Sequence, residues 1–275
     1  TGTGSSLAVP DWPLAYGQLF PPMVGGILYE HGHRLVAASV GLVTVVLGGW
    51  LWFAEERLWV KVLGLSAIGV VVLQGLLGGV TVLYLLPKAI SIGHALLAQL
   101  FFLLTVGLVQ VTAPGWDRMR GRRGGEGRAR FWGRSALGAL LVALLLGATM
   151  RHNEAGLAIP DFPLAYGSLI PPLTSFPVTI HYLHRLGALV ALLLVAATIW
   201  ETVRRHRAEP ALFRVAVAMG LLVALQVSLG GWAIWSRLAV PVTTLHLVNG
   251  ALLLGATGLF ALRAEILETP LDKSA

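Results

Sequence analysis

Long apolar runs alternate with short polar breaks along this chain. The runs lie near residues 34–54, 60–86, 90–113, 135–151, 183–203, 211–236 and 240–262. Each is close to the ~20 residues that a membrane-spanning helix needs. The pattern therefore predicts an all-α integral membrane protein with seven spans. The 60–86 run is long enough to tilt, and the 135–151 run is the shortest.

Composition supports that reading. Of the 275 residues, 56% are hydrophobic and only 12% are charged. That charged share is about half of what a soluble domain carries. There is no cysteine. Disulfides, thiolate metal sites, iron–sulfur clusters and a cysteine nucleophile are excluded.

The net charge is +7, and its distribution is uneven. Arg57, Lys61, the seven arginines from Arg118 to Arg134, Arg204, Arg205, Arg207, Arg214, Arg263 and Lys273 fall on one set of connections. These are 15 of the 20 basic residues. The positive-inside rule places them, and the C-terminus, on the cytoplasmic side. Residues 1–33 and 152–182 then face outward. The arginine-rich run 118–134 reads as a cytoplasmic membrane loop, not a nucleic-acid site.

The chain repeats itself. "LAVPDWPLAYGQLFPP" at 7–22 matches "LAIPDFPLAYGSLIPP" at 157–172. "HRL" recurs at 33–35 and 184–186, and "LQGLLGG" at 73–79 resembles "LQVSLGG" at 225–231. The second copy is preceded by the 135–151 run, and the first starts inside its loop. The repeat thus predicts a helix before Thr1 and two tandem four-helix bundles. An even number of helices per copy relates them by a pseudo-two-fold axis along the membrane normal. The expected division is 1–113, a basic linker 114–134, and 135–275.

Four of the eight histidines fall into register. His33 and His184 begin the second helix of each half, and His94 and His246 lie near the start of the fourth. Antiparallel connectivity puts each pair at one depth, toward the outer side. Two imidazoles facing across a bundle core suit bis-histidine ligation of haem iron. Zinc or copper fits less well without cysteine, methionine or clustered carboxylates. His31, His152 and His206 lie outside the pattern; His206, in "RRHR", reads as a solvated loop residue.

The halves differ at one position. Glu30 precedes His33 by three residues, and the aligned position before His184 is His181. Positions i and i+3 share a helix face. Glu30 is thus the candidate catalytic group, beside His33, and the second half reads as a redox cofactor site. The bland alternative has Glu30 pairing with Arg34. Arg34 and Arg185 are candidate contacts for haem propionates. Gln74 and Gln226, with their trailing glycines, read as packing positions or haem-edge contacts.

"DWPLAYG", Glu-x-x-His-Arg, "GHALLAQ" and the later "HYLHR … LHLVNGA" together resemble the heme A synthase family across the whole chain. The resemblance implies eight helices in two parallel bundles in a bacterial inner membrane. It implies oxidation of the C8 methyl of haem O to a formyl group, through hydroxylated intermediates, giving haem A for terminal oxidases. His33 and His94 would ligate the substrate haem O, and His184 and His246 a haem b cofactor. The family's essential glutamate matches Glu30. Many members carry a loop cysteine pair where this chain has Ala8 and Ala15, so this chain resembles a cysteine-free subgroup. Implied partners are haem O synthase, oxidase assembly factors, an electron partner and membrane lipid. Self-association is left open, and the "PDWPLAYG" and "PDFPLAYG" loops are expected as lids. The rival readings are a dihaem b-type electron-transfer protein and a haem-handling transporter.

Overall fold

The computed structural model describes residues 7–119 and 127–268. Most of the arginine-rich run's centre, Lys273 and anything before Thr1 lie outside the described residues. Seven long helices follow in order: α1 Gly25–Ala54, α2 Leu58–Leu83, α3 Lys88–Thr112, α4 Arg128–His152, α5 Phe176–Arg205, α6 Pro210–Trp235 and α7 Val240–Glu268. All seven are long and apolar enough to cross a membrane. The protein is a multi-pass, all-helical membrane protein, as the apolar runs predict.

The helix ends differ from the hydropathy reading for a physical reason. Hydropathy stops at the first charged residue, but backbone hydrogen bonding does not. α1 begins at Gly25, so "YEHGHR" is helical. Pro21 and Pro22 hold the preceding backbone extended and end the loop. α5 likewise starts at Phe176 with Pro177 in its first turn, where a missing N–H costs nothing. α4 starts at Arg128 and takes in part of the basic run. It is no shorter than α3, although its apolar stretch is.

The chain forms two compact units, Thr1–Leu108 and Val109–Ala275. In the first, α1 packs on α2 where two glycines meet. A Cβ on Gly48 would lie 3.0 Å from the Gly64 carbonyl oxygen. Bare backbone is what lets helices approach this closely in a bilayer, where apolar burial alone gives no drive. The α1–α2 turn is tied by Arg57, which donates to Glu55 at 2.8 Å. The Arg57 guanidinium beside Glu55 holds its carboxyl down to about 2.

In the second unit, α4 packs on α5, α5 on α6, α6 on α7 and α7 back on α4. The four helices close a ring, with α5 and α7 on its diagonal. Gly133 on α4 receives the Phe260 ring of α7, which is fully buried. The end opposite the 157–172 loop is pinned by ion pairs from Arg134 and Arg130 to Glu265. His206 belongs to this end. Its predicted solvated position is corrected: it is only 8% exposed, with Nε2 3.6 Å from a Glu268 carboxylate oxygen. The basic tetrad "RRHR" looks solvated by composition, but the α5 C-terminus turns this ring inward against α7.

Candidate functional site

Each repeated loop builds the same knot. Asp11 accepts from the Tyr16 and Gly17 N–H groups at 2.8 and 2.9 Å. Asp161 does the same for Tyr166 and Gly167, at 2.8 and 2.9 Å. Tyr16 and Tyr166 adopt positive φ, which the aspartate bonds stabilise. The N–H groups of Gly17 and Tyr16 hold the Asp11 carboxyl below its ordinary value, and those of Gly167 and Tyr166 do so for Asp161. The Tyr16 and Tyr166 hydroxyls close the knots by donating to the Ala8 and Ala158 carbonyls.

A helix arginine then clamps each loop. Arg34 donates to the Asp11, Leu14 and Val9 carbonyls at 2.6, 2.9 and 3.2 Å. Arg185 donates to the equivalent Asp161, Leu164 and Ile159 carbonyls at 2.7, 2.8 and 3.1 Å. Both terminal nitrogens of each guanidinium are thereby engaged by loop backbone.

The aligned pair Glu30 and His181 completes the clamp in two chemistries. Glu30 accepts from the Val9 N–H at 2.9 Å and from Arg34 at 2.6 Å. Its side chain is 8% exposed. His181 Nδ1 accepts from the Ile159 N–H at 3.3 Å. The carboxylate and the imidazole therefore receive the same backbone donor. In the first unit alone, His31 adds a bond, donating from Nε2 to the Leu19 carbonyl at 2.7 Å. The His31 ring is 3% exposed.

The four registered histidines sit near the loop ends of their helices. His33 is eight residues into α1 and His94 six into α3. At 1.5 Å rise per residue these are depths of about 12 and 9 Å. His184 and His246 repeat those positions in α5 and α7.

Three of the rings lie on bare backbone of a neighbouring helix. A Cβ on Gly78 would lie 3.3 Å from His94 Cε1, on Gly230 3.4 Å from His246 Cε1, and on Gly147 2.9 Å from His184 Cε1. His33 is exposed on α1.

The next glycine along α2 and α6 serves the loop. A Cβ on Gly79 would lie 2.8 Å from the Trp12 ring, and on Gly231 2.9 Å from the Phe162 ring. Each Gly-Gly dipeptide thus takes the imidazole on its first residue and the loop aromatic on its second.

These rings suit an iron. His184 Nδ1–H donates to the Ala143 carbonyl at 3.0 Å. That bond leaves the lone pair on Nε2, as ligation requires. Gln226 donates to His246 Nε2 at 3.2 Å, so that nitrogen also carries a lone pair, which an iron could take only once the amide swings aside. His246 Nδ1 is buried and has no hydrogen-bond partner in the structure. Among the described residues no group of three or more His, Cys, Asp or Glu forms a cage for a bare metal ion. Imidazoles seated on glycine notches at His94, His184 and His246 suit a planar macrocycle better than a zinc or copper cluster.

The His33 face of α1 continues as Val36, Val40, Val43 and Leu47, and the His94 face of α3 as Phe101 and Thr105; together they line one open apolar groove of about 630 Å³.

Some of this was not read from the sequence. Gly147, Asn249 and the division of labour within each Gly-Gly pair were missed. The equal spacing of "GG" after Gln74 and Gln226 was the available signal. Nothing local in the sequence reveals Gly147.

The comparisons agree with one another. The family model described as "Cytochrome oxidase assembly protein" (COX15-CtaA) matches residues 23–257. The chain is similar to the heme A synthase of Symbiobacterium thermophilum, at 37% identity over 230 residues, covering 80% of this chain and 73% of that protein. It is similar to that of Alkalihalophilus pseudofirmus, at 30% over 262 residues, covering 93% and 86%. A third, from Halalkalibacterium halodurans, is 29% identical over 233 residues, covering 80% and 74%.

Proposed function

The chain belongs to the family of cytochrome oxidase assembly proteins that includes the heme A synthases, and from that membership we propose that it is itself a heme A synthase. In this reading it oxidises the C8 methyl of haem O to a formyl group, through hydroxylated intermediates, and yields haem A for terminal oxidases. The observation that carries the reading is the asymmetry of a repeated site. Both units hold paired histidines at one depth, and only one places a carboxylate on the preceding turn.

His33 and His94 would hold the substrate haem beside Glu30. His184 and His246 would hold haem b, which would supply a one-electron redox centre. Oxidising a methyl group withdraws protons as well as electrons. Glu30 is the proton acceptor. Its two oxygens are held by Arg34 and by the Val9 N–H, so the carboxylate is fixed in place. His181 receives the same backbone donor without a charge. Latching the loop therefore does not require a carboxylate, and the charge of Glu30 is left for chemistry.

Arg34 and Arg185 first organise the loops. A haem propionate would reach them through Nε or by displacing a loop carbonyl. The loops face the outer side of an inner membrane, with the basic connections cytoplasmic. Haem O synthase, oxidase assembly factors and an electron partner complete the setting.

One observation favours the rival dihaem electron-transfer reading: Glu30 is already engaged in the clamp. Haem extraction separates the two. The chain is expressed in cells that make haem O but not haem A, and its haem is separated with mass detection. Formyl or hydroxylated haem, lost on Glu30→Gln, supports the synthase. Haem b beside unchanged haem O would leave a dihaem cytochrome.

A further inference from the structure

The two glutamines beside the ligands are aligned in sequence but not in bonding. Gln226 Oε1 accepts from Asn249 Nδ2 at 2.7 Å. The same Asn249 nitrogen donates to the Leu222 carbonyl at 2.9 Å. A carbonyl accepts only from a donor, so the Asn249 amide is oriented, and Gln226 is oriented in turn. Its acceptor is used, and its NH₂ points at His246 Nε2, 3.2 Å away.

The position equivalent to Asn249 in the first unit is Leu97. Leucine donates nothing. Gln74 still directs its NH₂ inward, donating to the His94 carbonyl at 3.0 Å and lying 3.5 Å from His94 Nε2. Its Oε1 is buried with no hydrogen-bond partner in the structure. Ser91 repeats the difference one turn before His94. Its hydroxyl is buried and unpartnered, whereas the equivalent Thr243 donates to the Ala239 and Val240 carbonyls.

A buried acceptor without a donor is left unsatisfied, at a cost to the fold. The second unit avoids that cost with one residue, Asn249. The first unit retains an open acceptor beside the nitrogen assigned to the iron. Anything ligated by His94 abuts the Gln74 amide.

We infer that Gln74 is the residue that holds a hydroxyl of the substrate porphyrin, accepting its hydrogen bond at Oε1. This rests on the synthase reading and deepens it. A methyl group offers no donor, and a hydroxymethyl group does. Gln74 therefore grips the half-oxidised alcohol more strongly than the starting haem and retains it for the second oxidation. The aligned Gln226 oxygen already has a donor in Asn249, so it is satisfied without a substrate hydroxyl and gains less from one. The two units are thus distinguished at a second position besides Glu30.

The test measures the ratio of hydroxymethyl to formyl haem in cells that make haem O, together with the substrate haem retained by the purified protein. Leu97→Asn supplies the missing donor and ties up Oε1. Gln74→Leu removes the acceptor. Gln74→Glu restores one, as the carbonyl of a neutral carboxyl. Leu97→Asn and Gln74→Leu are expected to raise the ratio about tenfold, the effect of one buried hydrogen bond. Gln74→Glu should return it close to wild type. An unchanged ratio in Leu97→Asn and Gln74→Leu, with substrate haem retained, overturns the inference. So does loss of substrate haem in Gln74→Glu as well as Gln74→Leu, which would make the residue a packing element. A wild-type chain that yields no formyl or hydroxymethyl haem fails earlier, at the synthase reading itself.

Discussion

The loops 7–22 and 157–172 are the same object built twice, down to which three carbonyls an arginine grips. One turn before that arginine the two part company, with Glu30 in one and His181 in the other. Both accept the same loop N–H, at 2.9 and 3.3 Å. The comparison separates two kinds of constraint. The arginine, aspartate and tyrosine contacts are geometric and are duplicated without change. The latch position needs only an acceptor, so it tolerates two chemistries. A charge that the fold does not require, kept at low exposure beside an arginine, is a functional candidate on physical grounds.

Exchanging the latches tests this most severely. Glu30→His should keep the loop in place and lower formyl-haem formation by about 10²–10⁴-fold, the usual worth of a general base. His181→Glu should leave formation within a few fold. Product yield by haem extraction decides, and equal losses in both variants would end the distinction between the units.

The glycine notches come next. Gly147→Ala would put a methyl 2.9 Å from His184 Cε1, and Gly78→Ala one at 3.3 Å from His94 Cε1. Overpacking of this kind costs about 1–3 kcal/mol, or roughly 5- to 150-fold in occupancy. Gly147→Ala should deplete haem from the second unit more than Gly78→Ala depletes it from the first. Soret absorbance per protein, with haem identity by mass, gives the comparison.

Smaller effects fall on the repeated loops. Gly79→Ala and Gly231→Ala should each displace one loop aromatic, Trp12 or Phe162. Cleavage by an added protease should rise several-fold in the affected loop only. Proteolysis decides, because Trp12 is one of nine tryptophans and Trp235 lies edge-on to Phe162 at 5.9 Å.

Acid is the gentlest probe. Asp11 and Asp161 have carboxyls held below their ordinary value of 3.8 in the folded loops, by the Gly17 and Tyr16 and the Gly167 and Tyr166 N–H groups. A depressed carboxyl contributes stability above its unfolded value and loses it as pH falls through the folded value. The knots should therefore hold through pH 5 and 4 and loosen only below about 3.8. Emission against pH from a variant that keeps Trp12 as its one tryptophan checks the window, and Asp11→Asn should remove most of the acid response.

Much of the architecture was legible because its causes are local. Seven apolar runs, the basic connections and the repeat are all patterns along the chain. The histidine register was legible because duplication prints it twice. What escaped depends on contacts across many residues. Spacing placed Glu30 on the face of His33 and within reach of Arg34, but the loop N–H twenty-one residues upstream that also holds its carboxylate has no local sign. Arg34 and Arg185 looked available for propionates because the loop carbonyls that engage them carry no sequence signature. His206 looked solvated because four polar residues in a row say nothing of the helix packed behind them.

The Gly-Gly steps have a consequence for how the protein is insulated. Elsewhere leucine and valine coat each helix, giving it a diameter of about 10–12 Å. At residues 78–79 and 230–231 that coat is missing over two faces about 100° apart. Only the peptide cylinder remains, about 2.3 Å in radius. At each step the loop ring lies on one side of this cylinder and the imidazole on another. At those two points the outer loop and the candidate ligand ring are one backbone apart.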